Sequence, residues 1–325
     1  MRLLLFTALL GSAISLAIRK APHQELEEYS DEFTRYKMFS FAAAAYSDDP
    51  NGCLKSAYPH EGNDTATRVV EAICVENKNA TCKGFTAVSH SDKAIIVAFG
   101  GTEVFVKLVD DIRRDLHRTP PKADMIPIIA KAEKFSAGGY VSSYFYAAFK
   151  ALWDAGVKED FLALKSADPD YEVWVTGHSL GGAMASLAAT VLAHESLVES
   201  DKLKLVTFGQ PRTGDFVFAT IHDHLIDYSY RITHWEDEAV HYPPAFYPAG
   251  FLRGYIHHKA EIFYDEVNNY LVCHEPVDMD CSAGNLWPKL HGHLYYFQSK
   301  LTVMEYGQQG CPTNLLAKTE RIDHF

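Results

Sequence analysis

Unbroken apolar runs alternate with runs of helical period along most of the chain. Ala94-Ile95-Ile96-Val97-Ala98-Phe99 has the character of a central strand covered on both faces. The run before it, Lys83 to Ser89, joins it through His90-Ser91-Asp92 and predicts a hairpin. After Gly100-Gly101-Thr102 the period changes. Val104, Phe105, Leu108, Val109 and Ile112 share one face, and Lys107, Asp110, Asp111, Arg113 and Arg114 lie mostly on the other, which predicts a helix from Glu103 to about Leu116. A further helix is expected from about Val141 to Ala155, followed by a polar connection. Val173-Trp174-Val175 is a strand, and the Ala-rich run after it is a helix ending near His194. Leu203 to Gly209 and Tyr228 to Thr233 are strands separated by a helix through about His224. Ala260 to Asp265 and Asn269 to Cys273 form a late hairpin. Phe39 to Tyr46 is a helix on the flank, and residues 47 to 83, rich in Asn, Asp, Thr and Gly, read as loop. Strands alternating with helices predict a doubly wound α/β fold with a mostly parallel sheet and helices on both faces. No linker or internal repeat divides residues 18–325, so one domain is expected.

Composition narrows this reading. The 325 residues carry a formal charge of −12, which argues against attraction to nucleic acid or an anionic membrane. Arg2, the apolar stretch Leu3 to Leu10 and the small residues through Ser15 and Ala17 make residues 1–17 a secretory signal peptide, too short in its apolar part to span a bilayer. No later stretch is long enough to do so, and a secreted location is expected, extracellular or in the secretory or lysosomal lumen. Cys53, Cys74, Cys82, Cys273, Cys281 and Cys311 fit three disulfides, with 15 pairings open in principle. Local loops favour Cys74–Cys82 and Cys273–Cys281, which leaves Cys53–Cys311. With no C-x-x-C pair, a zinc site is a poor alternative, and neither a metal nor a cofactor is called for. Asn63-Asp64-Thr65 and Asn79-Ala80-Thr81 are glycosylation sequons in polar surroundings.

The chemistry centres on Gly177-His178-Ser179-Leu180-Gly181-Gly182, between the 173–175 strand and the Ala-rich helix. This G-x-S-x-G pattern is a nucleophile elbow, a tight turn that presents the Ser179 hydroxyl. Two residues either side, the chain passes too close for a Cβ, which explains Gly177 and Gly181. The helix behind the serine aims its N-terminal amides at a developing oxyanion.

Such a serine needs a base, and the base an orienting carboxylate. Asp215, Asp223, Asp227, Glu236, Asp237 and Glu238 follow it in the chain. Asp215 is explained by a helix N-terminus, and the 236–238 cluster sits where the 228–233 strand ends, where α/β folds place their sites. Position alone does not choose among the three. His241, His257, His258, His274, His291 and His293 follow. Of these, His291 and His293 lie in a Gly-containing loop after the last strand and are the favoured bases.

The motifs resemble those of the class 3 lipases, the fungal triacylglycerol lipases and their animal and plant relatives. Gly177–Gly182 matches their GHSLGG elbow, and Phe208-Gly-Gln-Pro-Arg-Thr-Gly214 their F-G-x-P-R-x-G. Tyr230-Arg-Ile-Thr-His-Trp-Glu-Asp237 with Pro243-Pro244 is similar to their Y-R segment, and His293-Leu-Tyr-Tyr-Phe297 to their H-x-x-Y-F. The resemblance spans about residues 39–297 and implies an α/β-hydrolase fold with a Ser179-Asp237-His293 triad. It leaves His257 outside the triad. It also implies an oxyanion hole from the amides of Leu180 and Thr102, the latter in Phe99-Gly-Gly-Thr102, which is similar to the family's F-R-G-[ST]. Gly100 stands where that family usually has arginine, so a less braced loop is expected. The 103–116 helix occupies the family's lid position; an ordinary amphipathic helix with its apolar face in the core is the alternative. The implied substrate is a lipid or other ester, met at an oil–water interface if the lid reading is right. Acylglycerols come first, with phospholipids and other carboxylic esters as alternatives on the same fold. A catalytically silent binding protein is disfavoured because all three triad residue types are present.

Overall fold

The computed structural model describes residues 28–58, 65–75, 80–116, 126–245, 254–285, 287–297 and 300–316. Its strands, in chain order, are β1 (Thr65–Val75), β2 (Ala80–Ser89), β3 (Ala94–Phe99), β4 (Ala132–Lys134), β5 (Tyr140–Ser142), β6 (Glu172–His178), β7 (Leu203–Phe208), β8 (Gly214–Asp215), β9 (Tyr228–His234), β10 (Tyr255–Ile256), β11 (Glu261–Tyr264) and β12 (Tyr270–Cys273). Eight form one sheet in the order β1-β2-β3-β6-β7-β9-β11-β12. The run from β3 to β11 is parallel, and antiparallel pairs flank it. A parallel run requires crossovers, and right-handed crossovers lay helices on both faces.

The alternation of side chains in β3 shows how the sequence specifies this. Ile95, Val97 and Phe99 face one core, shared with the helices Ser143–Leu152 and Leu180–His194. Ala94, Ile96 and Ala98 face a second core, shared with the helix Phe39–Ala44 and the C-terminal helix Val303–Gln308. Both faces are therefore apolar, and the strand reads as a continuous hydrophobic run.

Two sequence expectations are corrected. The 47–83 region is not merely loop: Asn51–Ala57 is helical, and Thr65–Val75 is an edge strand paired antiparallel with β2. Its β-branched residues fit a strand, but exposed Thr65, Thr67, Arg68 and Glu71 interrupt them, and this blurs the apolar signal. The 141–155 helix also runs further. It starts at Ser143, kinks at Gly156 (φ 142°) and continues as Lys158–Ala167, where only Phe161 is buried. A second sheet, β10-β8-β5-β4, has strands of two or three residues, too short to leave a periodic trace.

Disulfides join Cys53 to Cys311, Cys74 to Cys82 and Cys273 to Cys281, as the spacing suggested. Residues 1–17 and both sequon asparagines, Asn63 and Asn79, lie outside the described residues. No helix among the described residues is long and apolar enough to cross a membrane.

Several histidines are buried and hydrogen-bonded as neutral rings. His222 stacks on His258 at 3.7 Å and meets Thr190 Oγ1 and Ser229 Oγ. His258 Nε2 accepts from Ser186 and Gln210, and His257 Nε2 donates to the Val240 carbonyl. Burial pushes His222 down to about 3 and His241 to about 4, and holds His257 and His258 well below the ordinary value of 6.5. A depressed histidine contributes stability that is fully present above 6.5 and is lost as the pH falls below it, by up to ~1.4 kcal/mol per group per pH unit. Asp223 and Glu238, raised by burial to about 6 and about 7, act in the opposite sense but are fewer. Between pH 7 and pH 5 the urea midpoint is therefore expected to fall. A flat midpoint over that interval would contradict this account.

Candidate active site

β6 delivers its last residue, His178, at the C-terminal edge of the sheet, and the helix Leu180–His194 starts immediately after the turn. Ser179 at the apex has φ 64° and ψ −128°, a conformation non-glycine residues rarely adopt. It is fixed by its amide donating to the Phe208 carbonyl at 2.9 Å and by the glycines around it. A Cβ on Gly181 would lie 2.8 Å from the Phe99 carbonyl carbon and closer still to its oxygen, and one on Gly177 would strike Gly181 itself. The two glycines let β6, the new helix and the end of β3 share one small volume.

His293 arrives from a short helix, Leu290–Leu294. Its Nε2 is 2.8 Å from Ser179 Oγ, and its Nδ1 is 3.0 Å from both oxygens of Asp237. Asp237 lies three residues beyond β9. It also accepts from the Ala239 amide at 2.8 Å and from the Tyr296 hydroxyl at 2.9 Å. Burial alone would raise the Asp237 carboxyl. The facing His293 and the hydrogen bonds from His293 and Tyr296 outweigh burial and hold it below its ordinary value, so it is an anion. An anion accepting at Nδ1 requires that nitrogen to carry the proton, which leaves Nε2 free to accept from Ser179.

The structure thus separates the 236–238 cluster. Glu236 pairs with Lys289 Nζ at 2.8 Å, Glu238 faces Arg113 Nε at 3.3 Å, and only Asp237 meets a histidine. The remaining candidates are placed elsewhere. Asp215 caps the helix Phe216–Leu225, Asp223 accepts from the Lys259 amide, and Asp227 accepts from Ser200. His274 and His291 are exposed.

Four supporting residues went unassigned in the sequence. Tyr296 was within the H-x-x-Y-F match, three residues from His293, and its hydroxyl secures Asp237. His178 stacks on His293 with ring centroids 4.6 Å apart and donates from Nε2 to the His293 carbonyl at 2.9 Å. Its Nδ1 accepts from Tyr46 OH at 2.8 Å. Burial, with His293 beside it, pushes His178 down to about 3, so it packs against His293 as a neutral ring. Gly209, at φ 56°, passes close by Asp237 and His293, where a Cβ would lie 2.8 Å from both Asp237 Oδ2 and His293 Nδ1. Tyr46 left no sequence signal, because its partner is 132 positions away.

The loop after β3 completes the surroundings. Gly101 lies against Ser179: a Cβ there would be 3.0 Å from Ser179 Cβ. Thr102, next in the chain, is buried, and its Oγ1 accepts from the Phe105 amide at 3.0 Å to cap the helix Glu103–Leu116. Gly100 does not leave this loop slack. Its amide donates to the Lys83 carbonyl at 2.9 Å, and the Ala45 main chain lies where a Cβ would project. Ser179 and His293 have no solvent exposure and Asp237 has 2%.

The fold is that of the α/β-hydrolases, and known proteins agree. The lipase solved as a triacylglycerol lipase with a serine-protease triad superposes with a TM-score of 0.67 at 22% identity, over 85% of this chain and 98% of that one. The Rhizopus microsporus var. chinensis lipase gives 0.65 at 22% identity, over 85% and 90%. The family described as Lipase (class 3) matches residues 96–247. Lipase ZK262.3 of Caenorhabditis elegans is 31% identical over 310 residues, 86% of this chain and 82% of its own. The secreted mono- and diacylglycerol lipase A of Penicillium camembertii is 27% identical over 317 residues, 91% and 95% of the two chains. The chain belongs to the class 3 lipase family.

Proposed function

We propose that this lipase-family ester hydrolase cleaves acylglycerol esters by nucleophilic catalysis, with Ser179 as nucleophile, His293 as base and Asp237 as the orienting acid. The continuous hydrogen-bond chain Ser179–His293–Asp237 at the elbow carries the reading. Ser179 Oγ attacks the ester carbonyl carbon as its proton passes to His293 Nε2. The ester C–O bond then breaks, the leaving alcohol takes that proton, and an acyl-enzyme remains. Water, deprotonated by the same nitrogen, releases the acid. Asp237 keeps the proton of the base on Nδ1 and stabilises the imidazolium. The amides of Leu180 and Thr102 flank the serine on the helix side and the loop side and supply the oxyanion hole. Thr102 Oγ1, already an acceptor from Phe105, keeps its own proton to donate.

The acylglycerol choice is supported by the mono- and diacylglycerol lipases among the relatives. Secretion, with residues 1–17 removed and 18–325 forming one domain, is supported by the N-terminal composition, the cysteine pairing and the secreted relatives. A panel of triolein, monoolein, phosphatidylcholine and short p-nitrophenyl esters tests the substrate class. Preference for phosphatidylcholine over both glycerides would replace the reading with phospholipase A1.

The helix Glu103–Leu116 is, in this reading, a lid. It leaves a loop that touches Ser179, and near its other end Arg113 faces Glu238, the neighbour of Asp237. It has 14 residues, roughly 21 Å of helix. Phe105, Leu108, Val109 and Ile112 are buried beneath it, and an apolar phase could cover that face once it lifts. Specific activity is expected to rise severalfold when a short-chain ester passes its solubility limit. Smooth saturation through that limit would leave the helix as an ordinary core element.

A further inference from the structure

The contact between Glu238 and the helix Glu103–Leu116 is unusual for an ion pair. Glu238 is only 3% exposed, yet Arg113 Nε and Glu238 Oε2, 3.3 Å apart, make no aligned hydrogen bond. The Arg113 guanidinium is instead committed to Asp110, with its NH2 2.7 Å from Oδ1, and its side chain remains 37% exposed. Among the described residues, the hydrogen bond on the Glu238 carboxyl comes from Tyr242 OH, 3.2 Å from Oε1. The charged or titratable groups facing it are Arg113 and Asp110 from the helix, Tyr242 from the following turn, and Asp237 beside it. Two of these are carboxylates, which oppose a third negative charge. A carboxylate buried here loses its hydration and receives little in return.

We propose that Glu238 is the pH gate of the helix Glu103–Leu116: neutral Glu238 keeps the helix seated over the triad, and ionised Glu238 drives it off. The inference rests on the lid reading of that helix. Burial, partly offset by Arg113 and Tyr242, pushes the seated carboxyl up to about 7, against an ordinary value of 4.5 once the helix lifts and water reaches it. The seated state thus binds the proton more tightly. It is favoured at low pH and loses ground as the pH rises through 7. With those two values, the lifted-to-seated ratio grows by ~10-fold between pH 6 and pH 8. A simple ion-pair latch would have the opposite sign, because acid would break it.

The two readings separate in a pair of variants. Glu238→Gln stays neutral at every pH and keeps the helix seated. Arg113→Gln removes what little compensation the ionised carboxylate has and loosens the helix further at alkaline pH. A plain latch predicts that both substitutions loosen it alike.

Amide hydrogen exchange over peptides covering 103–116 reads this directly. It is done in full-length protein carrying Ser179→Ala, so that no turnover or His293 chemistry contributes, with rates corrected for intrinsic exchange. Protection is expected to fall by ~10-fold from pH 6 to pH 8 in the Ser179→Ala background, to stay level after Glu238→Gln, and to fall more steeply after Arg113→Gln. Persistence of the pH effect in Glu238→Gln, or equal loosening by both substitutions, would overturn the gate. Emulsified triolein added at pH 6 is the control for the lid. If it loosens 103–116 while pH does not, the gate alone fails; if it leaves 103–116 protected, the lid reading and the gate fall together.

Discussion

Ser179→Ala is expected to lower kcat by on the order of 10⁶, with binding of lipid and thermal stability little changed, because the hydroxyl supplies the bond that defines the reaction. Asp237→Asn should cost about 10⁴, since an amide that donates toward Nδ1 favours the wrong imidazole tautomer. The combined variant should be no worse than Ser179→Ala alone, because residues acting as one unit are not additive. Kinetics on an emulsified acylglycerol, with fluorophosphonate labelling of the serine, make the comparison. Labelling that survives in Ser179→Ala, or losses that multiply in the double variant, would refute the assignment of this triad.

Gly181→Ala has the next largest expected effect, and it acts first on folding. The added methyl would meet the Phe99 carbonyl and lie 2.9 Å from the Gly100 carbonyl carbon. These are main-chain atoms at the junction of β3, β6 and the elbow helix, so no side chain can swing aside. Overpacking in a tight core typically costs ~1–3 kcal/mol, and a clash against backbone belongs at the upper end or beyond. Any relaxation must push the 99–102 loop away from Ser179, so the folded fraction should also lose activity. Thermal melting and active-site titration together test this. Unchanged melting with full activity would mean that the elbow is far looser than its packing indicates.

Much of the site was legible because chemistry and geometry constrain the same residues. The glycines at 177 and 181 are written by steric exclusion, and the continuous apolar runs of β3 and β6 by burial on two faces. The choice of Asp237 was of another kind. Position brought three consecutive carboxylates to one strand end, and only motif resemblance distinguished the middle one. In the structure the distinction lies in partners from distant segments, Lys289 for Glu236, Arg113 for Glu238 and His293 for Asp237. Tyr46, His178 and Gly209 escaped for the same reason: each acts through a neighbour far away in the chain, and local periodicity carries no trace of such contacts. The edge strand β1 was missed because exposed Thr65, Thr67, Arg68 and Glu71 break up its apolar run.

The bond between Cys53 and Cys311, 258 positions apart, encloses β1 through β12 together with Ser179, Asp237 and His293 within one covalent ring. A protease that cuts one exposed turn inside that ring severs the chain but releases neither piece. The two pieces stay joined until a reductant opens the bond. The integrity of the nicked molecule is then decided less by the first cut than by the redox state of the fluid around it.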